Sequence, residues 1–182
     1  MRILVTGSTG QLGVAMVELL SGRHEVVATS VSDLDICDHR AVLEALASVR
    51  PDAVVNCAAY TDVDGSEDHP VEALNVNAFA VRSLAVAAAS VGAAFVHYST
   101  DFVFDGMASA PYTEADAPNP RSTYAASKLV GEGLAREAPS HYVLRVESLF
   151  GGMMDPAGGR RTSVDRIVDA IAAGQEARVF VD

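Results

Sequence analysis

The sequence predicts an α/β fold built on a parallel sheet, and three observations carry that reading. Short apolar runs of strand length alternate with segments of helical periodicity along almost the whole chain. The first run passes directly into a glycine-rich turn and a helix, as Gly7-Ser8-Thr9-Gly10-Gln11-Leu12-Gly13. The residues able to do chemistry stand just past later strands, at the edge where open α/β sheets bind ligands.

Arg2 to Thr6 forms the first strand, and Val14, Val17, Leu19 and Leu20 then recur with roughly helical spacing. Glycines allow a sharp turn and a close approach to a pyrophosphate, while the helix N-terminus offers free N–H groups and a positive dipole end. An ordinary strand-to-helix turn would use the same residues. Glu25 to Thr29 is a second strand, completing a βαβ unit of the length a dinucleotide fold requires. The acidic residue that usually closes this strand and holds an adenosine ribose is replaced by Ala28-Thr29-Ser30, with carboxylates arriving at Asp33 and Asp35. A serine there spares a 2′-phosphate the repulsion of a carboxylate. The reading therefore favours NADP(H) and leaves NAD(H) open, since no arginine stands alongside.

Asp38 is suited to N-cap a helix over His39–Val49 that stops before Pro51. Asp52 to Asn56 reads as a third, buried strand running into Cys57-Ala58-Ala59-Tyr60; small residues there suit a backbone lying against a cofactor and equally suit tight packing. Thr61 to Pro70 carries Asp62, Asp64, Glu67 and Asp68 and reads as an exposed acidic loop, without the alternating ligand pattern of a calcium loop. An alanine-rich helix is predicted from Val71 to Val91. Asn77 interrupts its apolar face, either as a satisfied core residue or as a support for the site. The fourth strand, Ala94 to Tyr98, delivers Ser99-Thr100-Asp101, and a loop from Phe104 to Thr123 leads to a helix bearing Tyr124 and Lys128. His141 to Val146 is the fifth strand. Loop to Arg161, helix Ser163 to Ala173 and strand Ala177 to Val181 complete the chain. A domain that stops on a strand reads as a chain cut short, because chain ends usually lie outside the packed elements.

Lys128 is the only lysine and follows Tyr124 by four residues, so on a helix the two share a face. A formal charge of −11 opposes binding to nucleic acid or anionic membranes. The two cysteines, Cys37 and Cys57, form no CxxC pair and point to a reduced compartment with structural thiols. With 49% apolar residues and no run approaching 18 uninterrupted apolar positions, a cytoplasmic soluble protein is expected.

The blocks TGSTGQLG (6–13), NCAAYTDVD (56–64), STDFVFDG (99–106), PY-x-E (111–114) and YAASKLVGE (124–132) resemble the extended short-chain dehydrogenases/reductases, and within them the dTDP-4-dehydrorhamnose reductase family. The resemblance implies a Rossmann-type doubly wound parallel sheet with helices on both faces, and a small C-terminal substrate domain most of which is absent. Residues 1–182 would be the NAD(P)-binding domain, with 147–182 beginning the substrate-binding part. Thr100, Tyr124 and Lys128 match the catalytic hydroxyl, tyrosine and lysine. Gly7, Thr9, Gly10, Gln11, Leu12 and Gly13 match the pyrophosphate turn. Ser30, Asp35, Ile36, Ala58, Ala59, Tyr60 and Asn77 join Tyr124 and Lys128 as cofactor-binding positions, and no metal is implied. The implied activity is NAD(P)H-dependent reduction of a nucleotide-linked 4-keto-6-deoxysugar, serving dTDP-rhamnose or related deoxysugar biosynthesis, and a homodimer fits the same resemblance. Tyr124 would donate the proton, with the Lys128 ammonium drawing its pKa down and holding the nicotinamide ribose, and Thr100 binding the carbonyl oxygen. The alternatives are an epimerase or dehydratase of the same superfamily, or a non-catalytic regulatory subunit like that of methionine adenosyltransferase.

Overall fold

The structure is a computed structural model, and it describes residues 1–151 and 162–176. Its centre is a parallel sheet of β1 (Arg2–Thr6), β2 (Glu25–Thr29), β3 (Ala53–Asn56), β4 (Ala94–Thr100) and β5 (His141–Val146), in the spatial order β2-β1-β3-β4-β5. This is the doubly wound, Rossmann-like sheet expected from the sequence. Strand order reverses between β1 and β3, which opens a crevice at their carboxyl ends.

Side chains alternate across the sheet and fill both faces. Leu4, Val54 and Phe95 point into one layer, where they meet Val42 and Leu46 of α2 (His39–Val49) and Val81, Leu84 and Ala88 of α5 (Ala80–Val91). Ile3, Val5, Ala53 and Val55 point into the other, against Met16, Val17 and Leu20 of α1 (Gln11–Ser21). The expected cap of α2 is present: the Asp38 carboxylate accepts the N–H groups of Arg40 and Ala41 at 3.0 Å each.

Two expectations differ from the structure. The acidic segment read as a loop contains a short helix, α3 (Gly65–Asp68). The helix expected from Val71 to Val91 is α4 (Pro70–Leu74), a π-helical turn at Asn75–Phe79, then α5. Pro70 at the first turn starts it with a ring that needs no N–H partner. The run Pro70–Val91 is long and apolar enough by composition to cross a membrane, yet Ala73, Ala78, Val81, Leu84, Ala85 and Ala88 are fully buried within this fold. The last strand predicted, Ala177 to Val181, and the loop 152–161 lie outside the described residues.

Candidate active site

The turn after β1 is shaped by contacts that admit no side chain. Gly7 has φ +65°, and a Cβ on it would stand 2.6 Å from the Ala58 backbone N; one on Gly13 would stand 2.1 Å from the Gly7 carbonyl oxygen. The turn thus lies directly against the end of β3, with α1 drawn close behind it. Gly10 caps α1 with no side chain, so the first-turn N–H groups keep no acceptor from their own cap. Ser8 N–H donates to Thr29 O at 3.1 Å, tying the same turn to the end of β2.

Past β3, Asn56 is a buried organiser. Its Oδ1 accepts the Thr6 hydroxyl at 2.7 Å and the Ala58 N–H at 3.2 Å, which fixes the Ala58-Ala59 segment beside the glycine turn. Its Nδ2 lies 3.2 Å from His97 Nδ1, so that ring nitrogen accepts and Nε2 carries the proton. His97 is fully buried in β4, and burial, with Lys128 nearby, brings its pKa down to about 3. It is a neutral core histidine.

Tyr124 and Lys128 ride on α6 (Thr123–Ala135). Ser122 caps this helix by accepting the Ala125 N–H at 3.2 Å. Glu67 of α3 adds a second anchor, accepting the Thr123 N–H at 2.8 Å and its hydroxyl at 2.7 Å, a carboxylate where the helix dipole favours one. Asn77, in the π turn, holds α6 from behind: it accepts the Tyr60 N–H at 2.9 Å and donates to Tyr60 O and Ser127 Oγ, each at 3.0 Å. Gly131 makes this approach feasible, because a Cβ there would stand 2.1 Å from the Asn77 carbonyl oxygen. Of the two readings of Asn77, the structure therefore supports both at once: it is buried and satisfied, and its partners are the segment after β3 and the helix of Tyr124.

The Lys128 side chain is buried, and its ammonium donates to the Tyr98 carbonyl at 2.6 Å. Burial lowers its pKa to about 8, against the pull of Glu132 one turn on. Glu132 is itself gripped by Arg145 of β5 through two bonds of 2.8 Å, which hold its carboxyl below the usual range although burial pushes the other way. Tyr124 shows the opposite of the expected shift. Burial raises the pKa of its phenol and Asp101 adds to this, while the Thr100 hydroxyl pulls it down. Thr100 donates to Asp101 Oδ1 at 2.9 Å, and Phe102 packs edge-on against the Tyr124 ring.

A cleft of about 780 Å³ at the carboxyl edge gathers Gly7, Thr9, Gly10, Gln11, Leu12, Asp35, Ile36, Ala58, Ala59, Thr100, Tyr124 and Lys128. Gly13, Ser30, Tyr60 and Asn77 do not line it. Gly13 and Asn77 act from behind the wall, Tyr60 is clamped through its backbone, and Ser30 stands at the end of β2. Cys57 also lines the cleft, with its thiol pushed up to about 12 by burial. Sequence reasoning missed Val31, Leu34 and Phe102 as lining residues, whereas Glu147 to Leu149, which also line the cleft, belong to the part it assigned to substrate binding. The position of 147–149 just past β5 was the available signal. Gln11 reaches that segment, donating to Leu149 O at 3.2 Å. Thr162 and Asp165, at the start of α7 (Ser163–Ala172), complete this side.

Ser30, at the end of β2, is bonded within its own turn. The Asp33 carboxylate folds back to accept the Ser30 N–H at 2.9 Å and its hydroxyl at 2.6 Å, so a negative charge does sit there.

The family model described as RmlD substrate binding domain matches residues 1–182. A dTDP-4-dehydrorhamnose reductase of Aggregatibacter actinomycetemcomitans is 41% identical over 153 residues, covering 82% of this chain and 52% of its own length. The crystal structure of a dTDP-4-dehydrorhamnose reductase from Clostridium acetobutylicum superposes with a TM-score of 0.86 at 40% identity, over 94% of this chain and 60% of that one. One from Bacillus anthracis in complex with NADP superposes with a TM-score of 0.87 at 32% identity, over 96% and 61%. The chain spans about half the length of the curated relatives it matches.

Proposed function

We propose, from the premise that this chain belongs to the RmlD substrate binding domain family, that it binds a nicotinamide dinucleotide in the cleft and serves a reductase of a nucleotide-linked 4-keto-6-deoxysugar, in dTDP-rhamnose or related deoxysugar biosynthesis. The observation that carries the reading is that Thr100, Tyr124 and Lys128 open onto the same cleft as the glycine turn. The residues fit the cofactor: the turn lies against β3 without side chains, and the first turn of α1 presents N–H groups and a positive dipole end for a pyrophosphate.

When bound, the dinucleotide supplies the hydride that reaches the carbonyl carbon. Tyr124 supplies the proton for the carbonyl oxygen. Its raised pKa keeps the phenol protonated at neutral pH, the form a proton donor requires. The Thr100 hydroxyl would turn its one proton from Asp101 Oδ1 to that same oxygen, stabilising the charge that develops on it. Lys128, at a pKa of about 8, is an ammonium at neutral pH and stabilises the tyrosinate left behind. Glu132 and the Tyr98 carbonyl keep that cation in a buried position. Glu147, Ser148, Leu149, Gly151, Thr162 and Asp165 contribute one wall of the cleft, which supports assigning the start of the substrate-binding part to this end of the chain.

The test is Tyr124→Phe in the whole protein, assayed on dTDP-4-keto-rhamnose. Turnover should fall by about 10²–10⁴-fold while cofactor binding persists. Wild-type turnover by the variant would sink the mechanism. Turnover without net consumption of NADH or NADPH would favour an epimerase or dehydratase instead.

A further inference from the structure

Lys128 is buried on α6 with a carboxylate one helical turn on, yet that carboxylate is bonded elsewhere. Glu132 is 4% exposed, and its two oxygens accept from Nε and Nη2 of Arg145, at 2.8 Å each. Arg145 lies beside Ser99 in the register of β5 and β4, one residue past the Tyr98 whose carbonyl takes the Lys128 ammonium. Its guanidinium stands 4.9 Å over the Phe104 ring, which stacks on Tyr112 at 4.4 Å, so the side opposite Glu132 is walled as well. Among the described residues no ion pair joins Glu132 to Lys128, and the one hydrogen bond of the ammonium is to Tyr98 O at 2.6 Å.

We propose that Glu132 and Arg145 are positioning residues for Lys128: Arg145 holds the carboxylate back, so that the ammonium has a counter-charge beside it and keeps its remaining N–H donors for the cleft. The proposal deepens the reductase reading and rests on it for its consequence in turnover. Burial lowers the Lys128 pKa to about 8, and Glu132 is the charge that opposes this. A carboxylate bonded directly to Lys128 would favour the ammonium still more, but would take up donors that a ribose and a tyrosinate need. The other charged and titratable groups on the elements packed around α6 are neutral or engaged. His97 of β4 is neutral, and Asp101, in the turn after β4, accepts from Thr100. The phenols of Tyr98 and Tyr142 belong to the α1 face of the sheet, and His141 of β5 is bonded to Ala138 O. Glu67 of α3 holds Thr123, Asp68 and Glu72 act on Tyr60, and Arg82 of α5 pairs with Glu137. On α6 itself Tyr124 is a protonated phenol; Arg136 acts on Glu132, and Glu114 on Arg145.

Lys128 is the only lysine in the chain, so lysine labelled with carbon-13 at Cε gives one NMR resonance whose pH titration reads this ammonium directly, without substrate or turnover. The wild type should titrate at about 8. Glu132→Gln removes the counter-charge and should move the midpoint down by about one pH unit or more, whereas Arg145→Gln releases the carboxylate onto the ammonium and should move it up. An unfolded chain would read near the ordinary 10.5, so unfolding cannot mimic the drop in Glu132→Gln. Shifts in one direction for both variants, no shift, or a Glu132→Gln chain that reads as unfolded would mark a purely structural ion pair and overturn the proposal. In the active protein the alkaline limb of kcat/KM, where the ammonium is lost, should move with the resonance in each variant. Opposite resonance shifts beside an unmoved limb would leave the control of Lys128 by this pair standing and remove Lys128 from the reductase reading.

Discussion

Replacing Asn77 by alanine tests how the π turn supports the site. The side chain is 1% exposed and makes three hydrogen bonds of 2.9 to 3.0 Å, two to the Tyr60 backbone and one to Ser127. At about 1 kcal/mol for each bond, Asn77→Ala should cost about 3 kcal/mol, a large share of the 5–15 kcal/mol typical of a domain. Ser127→Ala breaks one of those three, along with the Ser127 hydroxyl's own bond to Tyr124 O at 2.7 Å, and leaves Asn77 on Tyr60, so it should cost about 2 kcal/mol. Urea unfolding followed by circular dichroism measures both. With a slope of about 2 kcal/mol/M, the Asn77→Ala midpoint should drop by about 1.5 M and the Ser127→Ala midpoint by about 1 M. Equal midpoints for the two variants, or a loss below 1 kcal/mol for Asn77→Ala, would refute the idea that this side chain ties Tyr60 to α6.

Other outcomes follow from the packing and the buried histidine. Gly131→Ala would place a methyl 2.1 Å from the Asn77 carbonyl and should cost about 1–3 kcal/mol, while Gly133→Ala, two residues on in open space, should be neutral or stabilise by up to about 1 kcal/mol. Thermal unfolding of the pair separates a close helix approach from a general dislike of alanine. His97 titrates near 3 in the folded state and near 6.5 when unfolded, so the unfolded chain binds the extra proton between those values and stability falls as pH falls through that window. From pH 6.5 to 5.0 the loss should be on the order of 2 kcal/mol, above the range where the lowered carboxylates titrate. His97→Gln should flatten it; an unchanged slope would mean that His97 is not the group responsible.

The alternation of strands and helices was legible because each period maps onto one element: β1, β2 and β5 have the bounds their apolar runs suggested, as does α2 between Asp38 and Pro51. The π turn was not legible. Its residues have ordinary helical propensity, and the register change follows from Asn77 bonding to Tyr60, 17 residues away. Glu67 was counted with a solvated acidic loop for the same reason, since its partner, Thr123, is 56 residues distant.

What the sequence by itself determined is the chemistry on offer: a glycine turn at residues 7–13, a hydroxyl at Thr100, and a Tyr124–Lys128 pair one helical turn apart. Local spacing suffices for these because each depends on neighbours within a few residues. The tertiary structure alone decided the charge states and the electrostatics of the β2 end. It half-buried Tyr124 and buried Lys128, raising one pKa and lowering the other, where spacing alone suggested that lysine would draw tyrosine down. It also folded Asp33 back onto Ser30, placing a carboxylate beside the end of β2. Desolvation and through-space charge depend on which groups are packed together, and that is set by the fold rather than by position along the chain.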